Sequence, residues 1–377
     1  MSKRPWNFSA GPAVLPQPVL ERVAAAVGSL ASAGAWSGGI EQDLSILEIS
    51  HRGKAFSAIH ERAIELVHEV IGIPRDHRVM FLQGGASLQF CMVPMNLARP
   101  GKTACYVETG TWAKKAIAEA ERIGPTRVVA SSKDTGFDRI PDLPGEAALG
   151  DAAYLHITTN NTIYGTEYGE LPSLPSGVPL VADLSSDIAS RPMALDRVAL
   201  GYAGAQKNLG PSGVTLVFGR KDLLDDSDPE HLPAYLRYRT FAKAGGLYNT
   251  PNTFGILVLS AVLEWLRDEG GVAAMGERNA RKARKIYEVL DAHDVYEPHA
   301  RPSDRSQMNV TFRLAGASEA ERSERTSRFL ADAEAAGFSG LKGHRSVGGV
   351  RASIYNAFPE AGVDAFVQFL RDFASRA

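Results

Sequence analysis

Cysteine is scarce: Cys91 and Cys105 are the two in 377 residues. They form no disulfide framework pattern and no metal-type spacing. Long hydrophobic runs are missing too. No uninterrupted apolar stretch reaches the ~20 residues that span a bilayer. The start, Met1-Ser2-Lys3-Arg4-Pro5-Trp6-Asn7, lacks the apolar core of a signal peptide. Nor is one sign of charge in excess. Lys and Arg number 41 against 43 Asp and Glu, a formal net charge of -2, which gives no reason to expect nucleic acid or an anionic membrane as partner. What is present is 44% hydrophobic and 22% charged residues, the composition of a globular enzyme. The length suggests one large domain with a smaller companion, and the expected location is the cytoplasm.

Along the chain, an irregular arm broken by Gly11-Pro12 and Leu15-Pro16 precedes a helix expected over 18–30 and a Gly/Ser/Ala loop over 32–39. An amphipathic helix carrying Phe56, Ile59, Ala63, Leu66, Val67 and Val70 follows, stopped by Gly72 and Pro74. Short apolar runs then alternate with helical ones. Strands are predicted at 79–82, 104–107, 128–129, 153–157, 179–182, 198–200 and 214–218, with helices at 88–97 and 111–123. Such alternation is α/β: a mainly parallel sheet with helices on both faces, whose ligands sit beyond the carboxyl ends of the strands. After a helix over 253–267, Gly270-Gly271 is the expected domain boundary. Strands at 308–314 and 350–354 with helices at 277–290, 319–336 and 363–373 then make an α+β module. The N-terminal arm is expected to pack against it.

One lysine draws attention. Lys207 lies between the apolar runs 198–200 and 214–218, with small residues before it and Gly210-Pro211-Ser212-Gly213 behind. Something bulky and flat fits beside its amine, and partial burial lowers a lysine pKa from ~10.4 toward that of a nucleophile. Asp183 ends the strand at 179–182. A buried carboxylate there wants a cation such as a protonated pyridine nitrogen, unless it caps the turn Leu184-Ser185-Ser186. Gly84-Gly85-Ala86-Ser87 joins a strand to a helix, where free N–H groups attract phosphate, and it is not the G-x-G-x-x-G dinucleotide fingerprint. Trp112 opens a helix after a strand and either lays its ring on a flat ligand or lies in the core. Residues 160–167 follow another strand, and Thr162 there offers a hydroxyl where a ring substituent would lie.

Arginines complete the set. His51 and Arg52 precede a helix, where cations are poorly placed unless an anion is bound. His344, Arg345 and Arg351 surround a glycine turn, Arg351 within a strand that looks buried. A buried arginine needs a partner, and its planar fork fits a carboxylate bidentately. Three arginines seeking anions imply a substrate with more than one negative group.

Taken together, the stretches 7–12, 48–52, 84–90, 182–187, 203–208, 343–345 and 351–356 resemble, in order and over nearly the whole chain, the phosphoserine aminotransferase family of class V, fold-type I pyridoxal phosphate enzymes. The resemblance implies a mainly parallel, seven-stranded-type sheet with helices on both faces in a large domain (16–270), and a smaller α+β C-terminal domain (271–377) joined by the arm 1–15. It implies a pyridoxal 5'-phosphate-dependent transaminase. L-glutamate would be the donor and 3-phosphohydroxypyruvate the acceptor, with a phosphorylated four-carbon 2-oxo acid as a further substrate in some members. Lys207 would bond the cofactor, Asp183 pair with its ring nitrogen, Trp112 stack on the ring and Thr162 hydrogen-bond it. Ala86, Ser87 and Gln206 would hold its phosphate, joined by Asn249 and Thr250 of a neighbouring subunit in a homodimer. Arg351 would take the substrate α-carboxylate. His344 and Arg345, with His51 and Arg52 of the partner subunit, would take the distal phosphate or the glutamate side chain. The alternatives are another class V enzyme, such as an alanine–glyoxylate aminotransferase or a cysteine desulfurase. A desulfurase needs an exposed activated thiolate, whereas Cys91 falls in a buried-looking helix and Cys105 in a strand.

Overall fold

The computed structural model describes residues 4–33, 43–226 and 229–376. Part of the expected loop over 32–39 lies outside them. Seven strands form the main sheet among the described residues: β1 (His77–Leu82), β2 (Thr103–Glu108), β3 (Thr126–Ser131), β4 (Ala152–Thr158), β5 (Leu180–Asp183), β6 (Val198–Gly204) and β7 (Thr215–Arg220). Their spatial order is β1-β7-β6-β5-β4-β2-β3. Every pairing is parallel except those of β7, which runs antiparallel to both β6 and β1. β4, β5 and β6 are buried along their whole length, the pattern of strands covered on both faces. Their runs of Val, Leu, Ile, Tyr and Ala fit that position.

One sheet face packs on helices Lys54–Leu66 and Thr253–Asp268 in a core containing Phe56, Leu66, Leu155, Leu216 and Leu259. The other packs on helices Gly85–Leu97 and Thr111–Glu121 around Phe90, Tyr106, Tyr202 and Ile117. Helix Lys54–Leu66 continues as a single π turn, Val67–Ile71, and stops at Gly72 with φ 84. That left-handed geometry suits glycine.

Several predicted helices start earlier than expected, the last at Glu360 rather than at residue 363. The phosphate-type turn is itself the first turn of helix Gly85–Leu97, because Gly84 adopts φ 88 as its N-cap. A Cβ at Gly84 would lie 2.6 Å from the Leu88 side chain, so that entry requires glycine. The charged helix begins at Gly271 rather than at residue 277, and runs to Asp291. Its start, Val272 and Met275, packs on the main core. Ala283, Ile286, Val289 and Leu290 belong to a second core with Phe312, Phe329, Phe366 and Leu370. There the antiparallel sheet Tyr296–Pro298, Asn309–Leu314 and Val350–Ser353 packs on helices Glu319–Ala335 and Glu360–Ala374. The arm joins this part: Trp6–Asn7 pairs in parallel with Phe338–Ser339, and Phe8 sits against Phe338, Phe358 and Phe366.

Candidate active site

At the carboxyl ends of the parallel strands lies a cavity of about 320 Å³. It gathers Ala86, Ser87, Trp112, Thr162, Asp183, Gln206, Lys207, His344 and Arg351 from the predicted set. The strand ends of the main sheet bring Ala86 through Lys207 together, as α/β topology dictates, and the C-terminal part adds His344 and Arg351, the latter from strand Val350–Ser353.

Asp183 ends β5 and is buried. Ser185 donates to its Oδ1 twice, from the backbone N at 3.0 Å and from Oγ at 2.6 Å. Burial pushes the Asp183 carboxyl up; the Ser185 bonds and the nearby Lys207 oppose it. Oδ2 accepts no bond from the described residues, so the site has an acceptor ready for a cation.

Lys207 follows β6 on the connection to β7. Burial lowers its pKa to about 8, with Asp183 and Asp187 opposing and Arg351 reinforcing the shift. Its amine therefore loses its proton far more readily than an ordinary lysine. The arm closes over it. Ala13 N donates to Gln206 O at 2.9 Å, and a Cβ on Gly11 (φ +138) would lie 3.6 Å from Lys207 Cγ.

Around these two groups the walls are specialised. No side chain caps helix Gly85–Leu97, so its first-turn N–H groups and dipole face the cavity region where Gly85, Ala86 and Ser87 lie. Trp112 Nε1 donates to Thr162 Oγ1 at 2.9 Å, which uses a lone pair of that hydroxyl and frees its proton for another acceptor. Arg351 Nη1 donates to Thr162 O at 3.2 Å. Its Nε is buried without a partner, and no carboxylate pairs with it among the described residues. Burial lowers its pKa as well. A guanidinium in that state fits an incoming carboxylate.

A flat phosphorylated pyridine aldehyde fits this donor set. The bare helix end suits its phosphate, Asp183 its protonated ring nitrogen, Lys207 its carbonyl carbon and Trp112 its face. Lys207 and Asp183 stand together in one cavity with an orphaned arginine.

Other predicted residues lie elsewhere on this chain. Arg345 is exposed and lines a separate cavity with Arg313, Arg322 and Lys342. His51, Arg52, Asn249 and Thr250 do not line this cavity. Gln83 Nε2 donates to Thr250 O at 3.0 Å. Neither cysteine lines it, and burial raises both thiols, which removes the exposed thiolate a desulfurase needs.

Sequence reasoning missed Ser185, Thr158, Asn160, Ala10 and Gly11 as wall residues. Ser185 was within reach: a serine two positions after a strand-end aspartate makes a local side-chain turn. Asn160 was not. Its Nδ2 bonds Ser186 Oγ and Asn309 Oδ1, both at 2.8 Å, and only the tertiary fold brings Asn309 near.

The aminotransferase class V family model matches residues 5–366. The phosphoserine aminotransferase of Geobacillus kaustophilus (strain HTA426) is 51% identical over 375 residues, covering 99% of each chain. The solved phosphoserine aminotransferase of Bacillus circulans subsp. alkalophilus superimposes with a TM-score of 0.91 at 45% identity, covering 100% of both chains. The pyridoxal phosphate-bound enzyme from Trichomonas vaginalis matches with a TM-score of 0.87 at 35% identity, over 98% of this chain and 100% of its own.

Proposed function

The chain belongs to the aminotransferase class V family, and from that premise we infer that it moves the amino group of L-glutamate onto 3-phosphohydroxypyruvate. The products are O-phospho-L-serine and 2-oxoglutarate, and the cofactor is pyridoxal 5'-phosphate. The observation that carries this reading is the meeting in one cavity of Lys207, Asp183 and Arg351, whose Nε has no partner.

Bound pyridoxal phosphate supplies an electron sink for the bonds at the substrate α-carbon. The chain's own residues supply the rest. The Asp183 carboxylate, whose charge the Ser185 bonds favour, would hold a proton at the ring nitrogen. Lys207 Nζ, an amine freed of its proton near pH 8, takes the proton from the substrate Cα. The first turn of helix Gly85–Leu97 and the Gln206 amide would anchor the phosphate, while Trp112 and Thr162 would fix the ring. Arg351 clamps the α-carboxylate and so aims the Cα proton at Lys207.

At the distal end His344 stands inside the cavity. Arg345, next to it, would turn inward from its outer cavity. A phosphate monoester carries about -1.5 to -2 charges, more than one cation balances. His51 and Arg52 of the partner subunit would complete the site, and Asn249 and Thr250 of the partner subunit would reach the cofactor phosphate. Exposed Leu47 (64%) and Tyr248 (44%), beside those two segments, support a homodimer that covers them. The separate core in the C-terminal part supports a division into residues 16–270 and 271–377 with the arm 1–15. No helix among the described residues is long and apolar enough to cross a membrane, consistent with action in the cytoplasm.

The test is direct. The purified chain with pyridoxal phosphate should form glutamate from phosphoserine and 2-oxoglutarate. Activity with alanine and glyoxylate but not with phosphoserine would overturn the assignment.

A further inference from the structure

Lys282 has no part in the reaction described above, yet it is one of the most unusual residues in the molecule. It sits midway along helix Gly271–Asp291 with 0% of its surface exposed. A buried ammonium is costly unless every donor is used. Here three donors meet three backbone carbonyls: Ile354 O at 2.9 Å, Tyr355 O at 2.8 Å and Phe358 O at 3.1 Å. No carboxylate pairs with it among the described residues. A methionine would fill the same volume but leave Ile354 O and Phe358 O without a donor, and Tyr355 O with only Phe358 N at 2.9 Å.

The turn that Lys282 gathers is a junction. It follows strand Val350–Ser353, which carries Arg351. Tyr355 Oη donates to Ala10 O at 2.9 Å, fixing the arm residue in the cavity wall. Asn356 N donates to Asn208 Oδ1 at 3.1 Å, one residue from Lys207. Asn279, one helical turn before Lys282, donates to Asn356 Oδ1 at 2.8 Å and to Ser190 O at 2.9 Å. Three walls of the catalytic cavity thus depend on one turn, and one ammonium fixes the direction of its carbonyls.

We propose that Lys282 is a positioning residue. By clamping turn 354–358 it sets Arg351, Ala10 and the Lys207 segment at the spacing that catalysis uses. The role toward substrate rests on Arg351 as the α-carboxylate anchor. Apolar packing holds the helix against the turn in any case; the ammonium adds orientation, and small misplacements of a binding group are expensive in rate.

The experiment uses holoenzyme with Lys282→Met. Phosphoserine and glutamate are each taken through a single half-reaction followed at the cofactor absorbance, the concentration dependence of its rate giving Kd, alongside KM, kcat and thermal unfolding. Both Kd values should rise together by about ten-fold or more, because both substrates use the same anchor. Combined with Arg351→Lys, the Lys282→Met effect should largely vanish, since both changes act through one contact. A folded Lys282→Met enzyme with a lower melting temperature but both Kd values within about two-fold of wild type would refute the proposal. If Arg351→Lys alone leaves both Kd values unchanged, the anchor reading fails instead, and the two failures are thereby told apart. Should Lys282→Met not fold, Lys282→Gln, which keeps two N–H donors, takes its place. Failure of both to fold would make Lys282 a purely structural residue and sink the proposal.

Discussion

Replacing Ser185 with alanine is the sharpest probe of how this site keeps its acid ionised. Ser185 Oγ donates to Asp183 Oδ1 at 2.6 Å and itself accepts from Gly204 N at 3.2 Å. A hydrogen bond to a charged acceptor contributes about 1.5–3 kcal/mol. Its loss therefore shifts the ionisation equilibrium of Asp183 roughly 10- to 150-fold toward the protonated form. The backbone bond from Ser185 N remains, so the lower part of that range is expected. Burial already raises this carboxyl, and the change pushes it the same way. The assay is kcat/KM for phosphoserine against pH. On the acid limb the variant should fall below wild type by that factor, and the limb should move to higher pH. At alkaline pH, where Asp183 is ionised in both proteins, the curves should converge. Stability should drop too, by about 1–3 kcal/mol, because Gly204 N–H loses its acceptor. An acid limb that stays in place while the protein is measurably destabilised would refute the claim that Ser185 sustains the charge on Asp183.

Lys207→Met should fold and bind cofactor, but borohydride should no longer fix the cofactor to the chain; fixation in the variant would displace Lys207 from its role. The folded-state pKa of about 8 lies below the unfolded value of ~10.4. Between the two the unfolded chain binds more protons, so this group's contribution to stability rises with pH. The cofactor-free variant should thus exceed wild type in denaturant midpoint at neutral pH, and the gap should close above about pH 10. Arg351→Lys should weaken glutamate and phosphoserine alike, by about ten-fold or more, since lysine cannot match the bidentate fork; losses confined to the phosphorylated substrate would move Arg351 to the distal end. Mixing inactive Lys207→Ala and Arg52→Ala proteins under subunit exchange should restore activity, because each hybrid dimer keeps one site free of both defects. Hybrids that form without regaining activity would place Arg52 in the same subunit's site.

The sheet was largely legible because its strands are buried on both faces and read as apolar, β-branched runs bounded by glycine. β3 was underestimated. At the sheet edge it carries exposed Arg127 and Val128, which hide its length from a hydrophobicity reading. Strand order and the reversed direction of β7 are fixed by pairing partners far apart in sequence, so no local signal announces them. Helix starts at Gly85 and Gly271 were missed because left-handed glycines serve as N-caps there, where Ser, Thr, Asp or Asn is the usual sign. In the site, Lys207, Asp183 and Arg351 were readable because each is chemically out of place in its local stretch. Asn160 and Lys282 were not, since their meaning lies in partners 149 and 72 to 76 residues away.

The reversed strand β7 has a consequence for what the fold tolerates. Gly204 and Thr215 are paired neighbours in the sheet, so the segment 205–214 that carries Lys207 leaves and re-enters the sheet about one interstrand spacing apart, ~4.8 Å. A parallel successor would have demanded a long crossover, free to grow or shrink in evolution. This connection has no such slack. Adding or removing one residue there would alter the reach of Lys207 toward Asp183. Insertions at the opposite, amino ends of the strands would leave that reach untouched. Grafted loops, tags or linkers belong at that far end, and length variation among functional variants should concentrate there.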